Sequence, residues 1–437
     1  MKTFSAKRGW VLALCGGLIL VASGSRHSGL IEMRRAEHLQ AVSPEDTTPL
    51  VAITTVAFGG FRGLVADALW VRANKMQEEG QYFEMVQLAK WITQLEPRVP
   101  EVWSFQAWNL AYNISVLFPE FEDRWRWVNH GLDLLRKKGL THNPNSPDLH
   151  WDIGWMFQHK IGMEFDLAHR LYKQKLMQQV MDILPDGRLP AESISPETAQ
   201  ALQETFSMDA DFMRELDEKY GPLEWRLAQT HVLYWSSKGL PFSAKVFDDR
   251  RLRRMQMQSL AEQVRGGTII TTDDGLTTIR FPRLELFDQV IRDYETLIAE
   301  GPQNQYLELG YSNLLMDAVL LNAEYGNLET SYAYYEKMAA AEEEVPAGRE
   351  NFKRYVFGEL EREPETLSYD LAITRLVALL TRALDQPDPI LASSFRQRAR
   401  QIHQAYQESR SNAEHLARTG LPPLSTIETL VRKSRES

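Results

Sequence analysis

The chain has 437 residues, of which 43% are apolar and 25% charged, and its formal net charge is −10. This is the composition of a globular protein of one to three packed units. The acidic balance argues against nucleic acid as the main partner, because a phosphate-binding face needs clustered Lys and Arg. The single cysteine, Cys15, excludes an internal disulfide and a cysteine-based metal site.

The N-terminus reads MKTFSAKRGWVLALCGGLILVASGS. Lys2, Lys7 and Arg8 precede an uncharged apolar run from Gly9 to Ser25, the pattern of a signal-anchor or cleaved signal. Charge before the run places the bulk of the chain outside the cytoplasm, in a periplasm-like compartment. A polar linker is expected over 26–48. The uncharged stretch from Leu50 to Phe61 then reads as a buried helix broken at Gly59-Gly60, with a segment lying on the membrane surface as the alternative.

From Leu64 onward apolar residues recur at three- and four-residue spacing, the helical period. Helices are predicted over 61–79, 81–96, 100–117, 120–138, 147–162, 165–184, 197–207, 209–220, 222–238, 248–264, 283–300, 303–325, 328–344, 347–362, 367–385, 389–417 and 424–434. One region reads as strand. In GTIITTDDGLTTIRF two β-branched runs flank Asp273-Asp274-Gly275, which is a hairpin turn signal. The organisation predicted is a leader (1–25), a linker (26–48), an N-terminal helical unit (49–185), a connecting region (186–265), a hairpin insertion (266–282) and a C-terminal helical unit (283–437).

A period is visible among the helices. Gly80 and Tyr82 open one helix, Ala89 and Ile92 lie on its inner face, and Pro97 closes it. Trp103, Ala107 and Leu110 follow in large–small–large order, as Leu69, Ala73 and Met76 do one unit earlier. Met85 departs from the pattern, which wants a small residue there. His150, Gly154 and Phe157 repeat the spacing, and Gly326, Leu328, Ser331, Tyr335 and Met338 give a further turn and helix. Pro100-x-x-Trp103 is echoed by Pro147-x-x-His150 and Pro222-x-x-Trp225, with proline in the first turn as a helix-start device. A small residue lets the paired helix approach closely, and large residues fill the groove between pairs. One pair cannot bury its faces alone, so pairs stack.

These residues resemble a tetratricopeptide (TPR)-like helical repeat over about 64–117, 147–172 and 304–340, roughly half the chain. The blocks YGPLEWRLAQTHVLYWSSKGL and GGFRGLVADALW are also similar to those of bacterial membrane-anchored helical-repeat proteins, a likeness that brings no activity with it. The resemblance implies an all-α fold: a right-handed superhelical array of antiparallel helix pairs, a TPR-like solenoid, with one inserted β-hairpin.

Motifs of chemistry are few. There is no phosphate-binding loop, no dinucleotide glycine fingerprint, no G-x-S-x-G and no H-E-x-x-H. The densest polar cluster holds His142, His150, Asp152, His159, Asp166 and His169, but a metal needs such groups to converge. His150 and His159 are nine residues apart and point to opposite sides of one helix.

Eight of the eleven tryptophans fall between Trp70 and Trp155. Rings in repeat register, such as Trp103, are expected in the core. Rings off register are free to meet a partner, as aromatic hot spots do. The expected function is a non-catalytic, membrane-tethered scaffold or adaptor in a bacterial envelope complex, with a protein partner in its concave groove and no cofactor. The candidate partner-binding residues are Arg72, Trp108, Asn109, Tyr112, Asn113, Trp125 and Trp127. The rival readings are a metal-dependent or other enzyme using the His150–His169 region, or an accessory subunit of a transport or secretion system.

Overall fold

The structure, a computed structural model, describes residues 62–272, 277–300, 305–360, 367–410 and 420–435. The predicted leader, the linker and the stretch from Leu50 to Phe61 lie outside the described residues. The chain divides into two compact units, Met1–Ala68 and Leu69–Ser437. Of the first, only the opening residues of helix α1 (Arg62–Glu78) are described. Among the described residues, no helix is long and apolar enough to cross a membrane.

The second unit is predominantly helical. After α1 come α2 (Tyr82–Leu95), α3 (Pro100–Trp108, running on to Leu117), α4 (Phe121–Asp133, running on to His142) and α5 (Pro147–Trp155, running on to Gly162). Then follow α6 (His169–Met181), α7 (Pro196–Phe206), α8 (Ala210–Tyr220), α9 (Ala228–Gly239) and α10 (Val246–Gly266). Strands β1 (Thr268–Thr271) and β2 (Thr278–Phe281) form an antiparallel two-stranded sheet with Thr268 opposite Phe281 and Ile270 opposite Ile279. The remainder is α11 (Phe287–Glu300), α12 (Gln305–Glu324), α13 (Leu328–Ala341), α14 (Arg349–Leu360), α15 (Tyr369–Asp385), α16 (Pro389–Glu408) and α17 (Leu424–Lys433).

The helix starts follow from local chemistry. Pro100 and Pro147 occupy first-turn positions where a missing N–H costs nothing. Ser146, Ser195, Asp209, Ser368 and Asp388 cap the helices they precede, each side chain accepting a backbone N–H of the first turn. Gly80 ends α1 with φ +72°, a left-handed conformation that other residues adopt only under strain.

The small residues of the repeat register do what they were expected to do. A side chain at Gly131 would come within 2.9 Å of the Ala107 carbonyl and 3.3 Å of the Ala111 methyl, so α3 and α4 touch backbone to backbone there. Ala73, Ala89 and Ala107 are fully buried, as is Met85, the residue that departs from the pattern. Trp103 is buried too, and its indole N–H donates to the Pro97 carbonyl at 2.8 Å. Ser331, Tyr335 and Met338 of α13 are buried, whereas Leu328, its first residue, is 55% exposed.

The predicted helix over 222–238 is corrected: α9 begins at Ala228, and Pro222 opens no helix. The residues before it are held in another conformation by partners elsewhere. Leu223 N–H donates to Asp217, Trp225 N–H donates to the Gly187 carbonyl at 2.8 Å, and the Arg283 guanidinium donates to the carbonyls of Tyr220 and Pro222.

Among the described residues, three apolar clusters make up the core. A small one joins Ala73, Met85, Leu88, Ile92 and Val102. The largest runs from Trp103 to Val356. The third joins Ile279 of β2 to α15, α16 and α17 through residues such as Leu376, Ile402, Tyr406 and Leu430.

Candidate functional site

Among the described residues, three helices carry a π-helical stretch: Asn109–Ile114 in α3, Leu134–Gly139 in α4 and Met156–Gly162 in α5. A π turn closes over one more residue than an α turn, and such insertions are frequent at functional sites. On α5 it has a geometric effect. Four-residue steps over-rotate on an α-helix and under-rotate on a π turn, so a row of such steps crossing from one to the other stays straight.

The row is aromatic. Trp151 stacks on Trp155 (centroids 5.3 Å apart), Trp155 on His159 (4.9 Å), and His159 on Phe165 (5.0 Å). From α3, Trp108 stacks on Tyr112 at 4.0 Å, and Tyr112 meets His159 at 5.8 Å. At the other end the Arg251 guanidinium lies over both Trp151 and Phe247. The ladder reaches solvent: Trp108 is 42% exposed and Phe165 71%.

Beneath the rings lies a charged anchor. Asp166 accepts from Lys160 (2.6 Å), Arg124 (3.3 Å), the Tyr172 hydroxyl (3.2 Å) and the Ala168 N–H (2.9 Å). Burial pushes its carboxyl up, but the Lys160 hydrogen bond and the other partners outweigh that and hold it below the usual range. The Lys160 ammonium also sits 5.1 Å from the Tyr112 ring centroid. This anchor explains why α6 starts at His169 rather than at 165 as predicted: Asp166 draws the chain away from the helical path. Asp152, on the same helix as the row, accepts from Ser104 of α3. Burial raises its carboxyl to about 6, although the Ser104 hydrogen bond opposes the rise.

The structure sorts the residues nominated from sequence. Trp108 and Tyr112 join the ladder. Asn109 and Trp125 are corrected to interior residues: Asn109 is buried and donates to the Tyr82 carbonyl at 3.3 Å, and Trp125 packs 6.0 Å from the buried Tyr172. Asn113, half-buried, donates to Asn109 at 3.1 Å. Trp127, also half-buried, belongs to a separate ring group with Phe83 and Phe118. Arg72 is exposed on α1, and among the described residues no hydrogen bond or ion pair joins it to the others.

Trp151, Trp155 and Phe165 were not nominated, although the four-residue steps from 151 to 155 to 159 carried the signal. The His150–His169 region does not converge. His150 packs against Trp235 and Phe242 with its Nδ1 2.7 Å from the Ser146 carbonyl, while His169 lies beside Lys173 on α6. Among the described residues no group of three or more His, Cys, Asp or Glu is placed to hold a metal ion.

No protein-family model matches this chain, and no curated protein matches it.

Proposed function

We propose that the chain is a non-catalytic scaffold or adaptor that docks a protein partner on the Trp108–Tyr112–His159 ladder. Its N-terminal segment tethers it to a bacterial membrane, with the bulk of the chain in the periplasm, and its helix pairs stack as a right-handed TPR-like superhelix. The observation that carries the reading is the solvent-reaching row of stacked rings spanning two helices over a buried ion cluster. Rigid aromatic rings of this kind supply binding energy at low entropic cost. Their spacing suits a partner helix with apolar anchors three and four residues apart. Support for the repeat architecture comes from the buried small residues of the register and the short helices in succession.

The test is capture in native membranes with a photo-crosslinking amino acid at position 108. A discrete partner should be recovered from the intact chain. Changing Trp155 and Phe165 together to Ala should weaken that partner's binding about 30-fold or more, the loss typical of a hot-spot pair. Undiminished capture in the double variant, or no adduct at all, removes the docking surface from this reading.

A further inference from the structure

A cavity of about 910 Å³ lies within the second unit, bounded by α6, α9, α10, the hairpin and α15. That volume is in the range of small-molecule sites. Much of its wall is apolar, including Met177, Val232, Ala261, Ile279, Ile373 and Pro422.

Five cationic side chains reach it, and four are already engaged. Arg226 makes a two-pronged contact with Glu224 (2.6 and 2.7 Å). Arg265 is held by Asp317 and Glu262, both at 2.7 Å. Arg280 donates to the carbonyls of Gly266 and Glu262 and lies 3.5 Å from the Glu262 carboxylate. Arg170 donates to the Gly420 carbonyl and lies over the Tyr369 ring.

Lys173 differs. Its ammonium lies 3.3 Å from His169 Nδ1, and no carboxylate among the described residues comes within ion-pair distance of it. An ammonium carries three N–H donors, and among the described residues only the His169 ring nitrogen is within hydrogen-bond distance of it. Burial lowers its pKa, and the nearby Arg280 and Arg170 add to that, while Asp370 and Glu164 act against it from a distance.

We propose that this cavity binds a small carboxylate with a largely apolar body, its carboxylate on Lys173. Among the described residues of the cavity wall, Lys173 is a cation with no carboxylate at ion-pair distance, and it matches one negative charge. A doubly charged phosphate would meet Glu164 and Asp370, which also line the cavity. The apolar wall takes the body of the ligand, and the Gln229 and Gln258 side chains offer uncharged contacts. The cavity shares Phe165 with the ring ladder, but Lys173 lies outside the ladder, so a change at Lys173 tests this site separately from partner docking.

The test uses the intact chain in lipid nanodiscs, with empty nanodiscs as control and octanoate as probe, read by titration calorimetry. Octanoate should bind saturably at one site. Octan-1-ol, its uncharged isostere, should bind at least about tenfold more weakly, the difference expected from losing a charge-assisted hydrogen bond. Lys173→Met should reduce octanoate affinity by a similar factor, and Lys173→Arg should retain most of it. In the unaltered protein, octanoate should shield Lys173 from acetylation by acetic anhydride, read by mass spectrometry. That arm stands even if Lys173→Met fails to fold. No saturable octanoate binding, equal binding of octanol, unchanged affinity in Lys173→Met, or binding of inorganic phosphate in preference to octanoate would each overturn the assignment.

Discussion

At the scale of single residues, the sharpest electrostatic consequence belongs to Asp152. Burial raises its carboxyl from 3.8 to about 6. Between those values the folded chain binds more protons than the unfolded one, so stability falls as pH rises through the window. Well above pH 6 the penalty is complete and amounts to about 3 kcal/mol. Asp152→Asn keeps an oxygen for Ser104 and removes the charge. Urea unfolding should show the variant about 3 kcal/mol more stable at pH 8, with the difference vanishing below pH 4. A constant difference across that range would mean that the carboxyl is not the cause. Single residues were legible where packing alone decided their place. Trp103, Ala107 and Leu110 are buried in the predicted register. Asn109 and Trp125 were misjudged because burial of a ring or an amide depends on which neighbour arrives, and Tyr82 and Tyr172 arrive from other helices.

At the scale of elements, α12 and α15 are joined by a fully desolvated ion pair, Glu324 with Arg375 at 2.8 Å. Burial raises the Glu324 carboxyl to about 7 against the pull of Arg375. Removing one partner strands the other, so Arg375→Met should cost about 3–5 kcal/mol. Adding Glu324→Leu should recover most of that loss, a double-mutant cycle readable from urea midpoints. Full additivity of the two losses would show that the pair is not coupled. Helix positions were legible from period and caps, because proline and capping side chains act within one turn of chain. The π-helical stretches were not. They cost local backbone regularity and are repaid by contacts such as Tyr112 with His159, which no local pattern announces. Pro222 failed for the same reason: Gly187, Asp217 and Arg283, all distant in sequence, hold its neighbourhood out of the helix.

At the scale of the whole molecule, the core divides into clusters, and the third, around α15, α16 and α17, has its own interior. Native-state hydrogen exchange should show the amides of those three helices opening together, with a free energy distinct from that of α5 and α9. Identical opening energies throughout would indicate one cooperative core instead. The all-α class and the inserted hairpin were legible in the sequence, since both rest on local periodicity. The cavity was not, because its walls come from helices more than two hundred residues apart. The ring ladder also has a spectroscopic use. His159 stacks face to face on Trp155, and burial, with Lys160 adding to it, lowers the imidazole pKa. A charged imidazole in that position drains the excited state of the indole, so emission from this tryptophan should dim reversibly on acidification with a midpoint below 6.5. His159→Phe should remove the share of the step that comes from Trp155, leaving that of Trp103 beside His142 and Trp127 beside His130. The protein thus carries a built-in fluorophore on the face where the partner is proposed to bind, and complex formation can be followed there without attaching a dye.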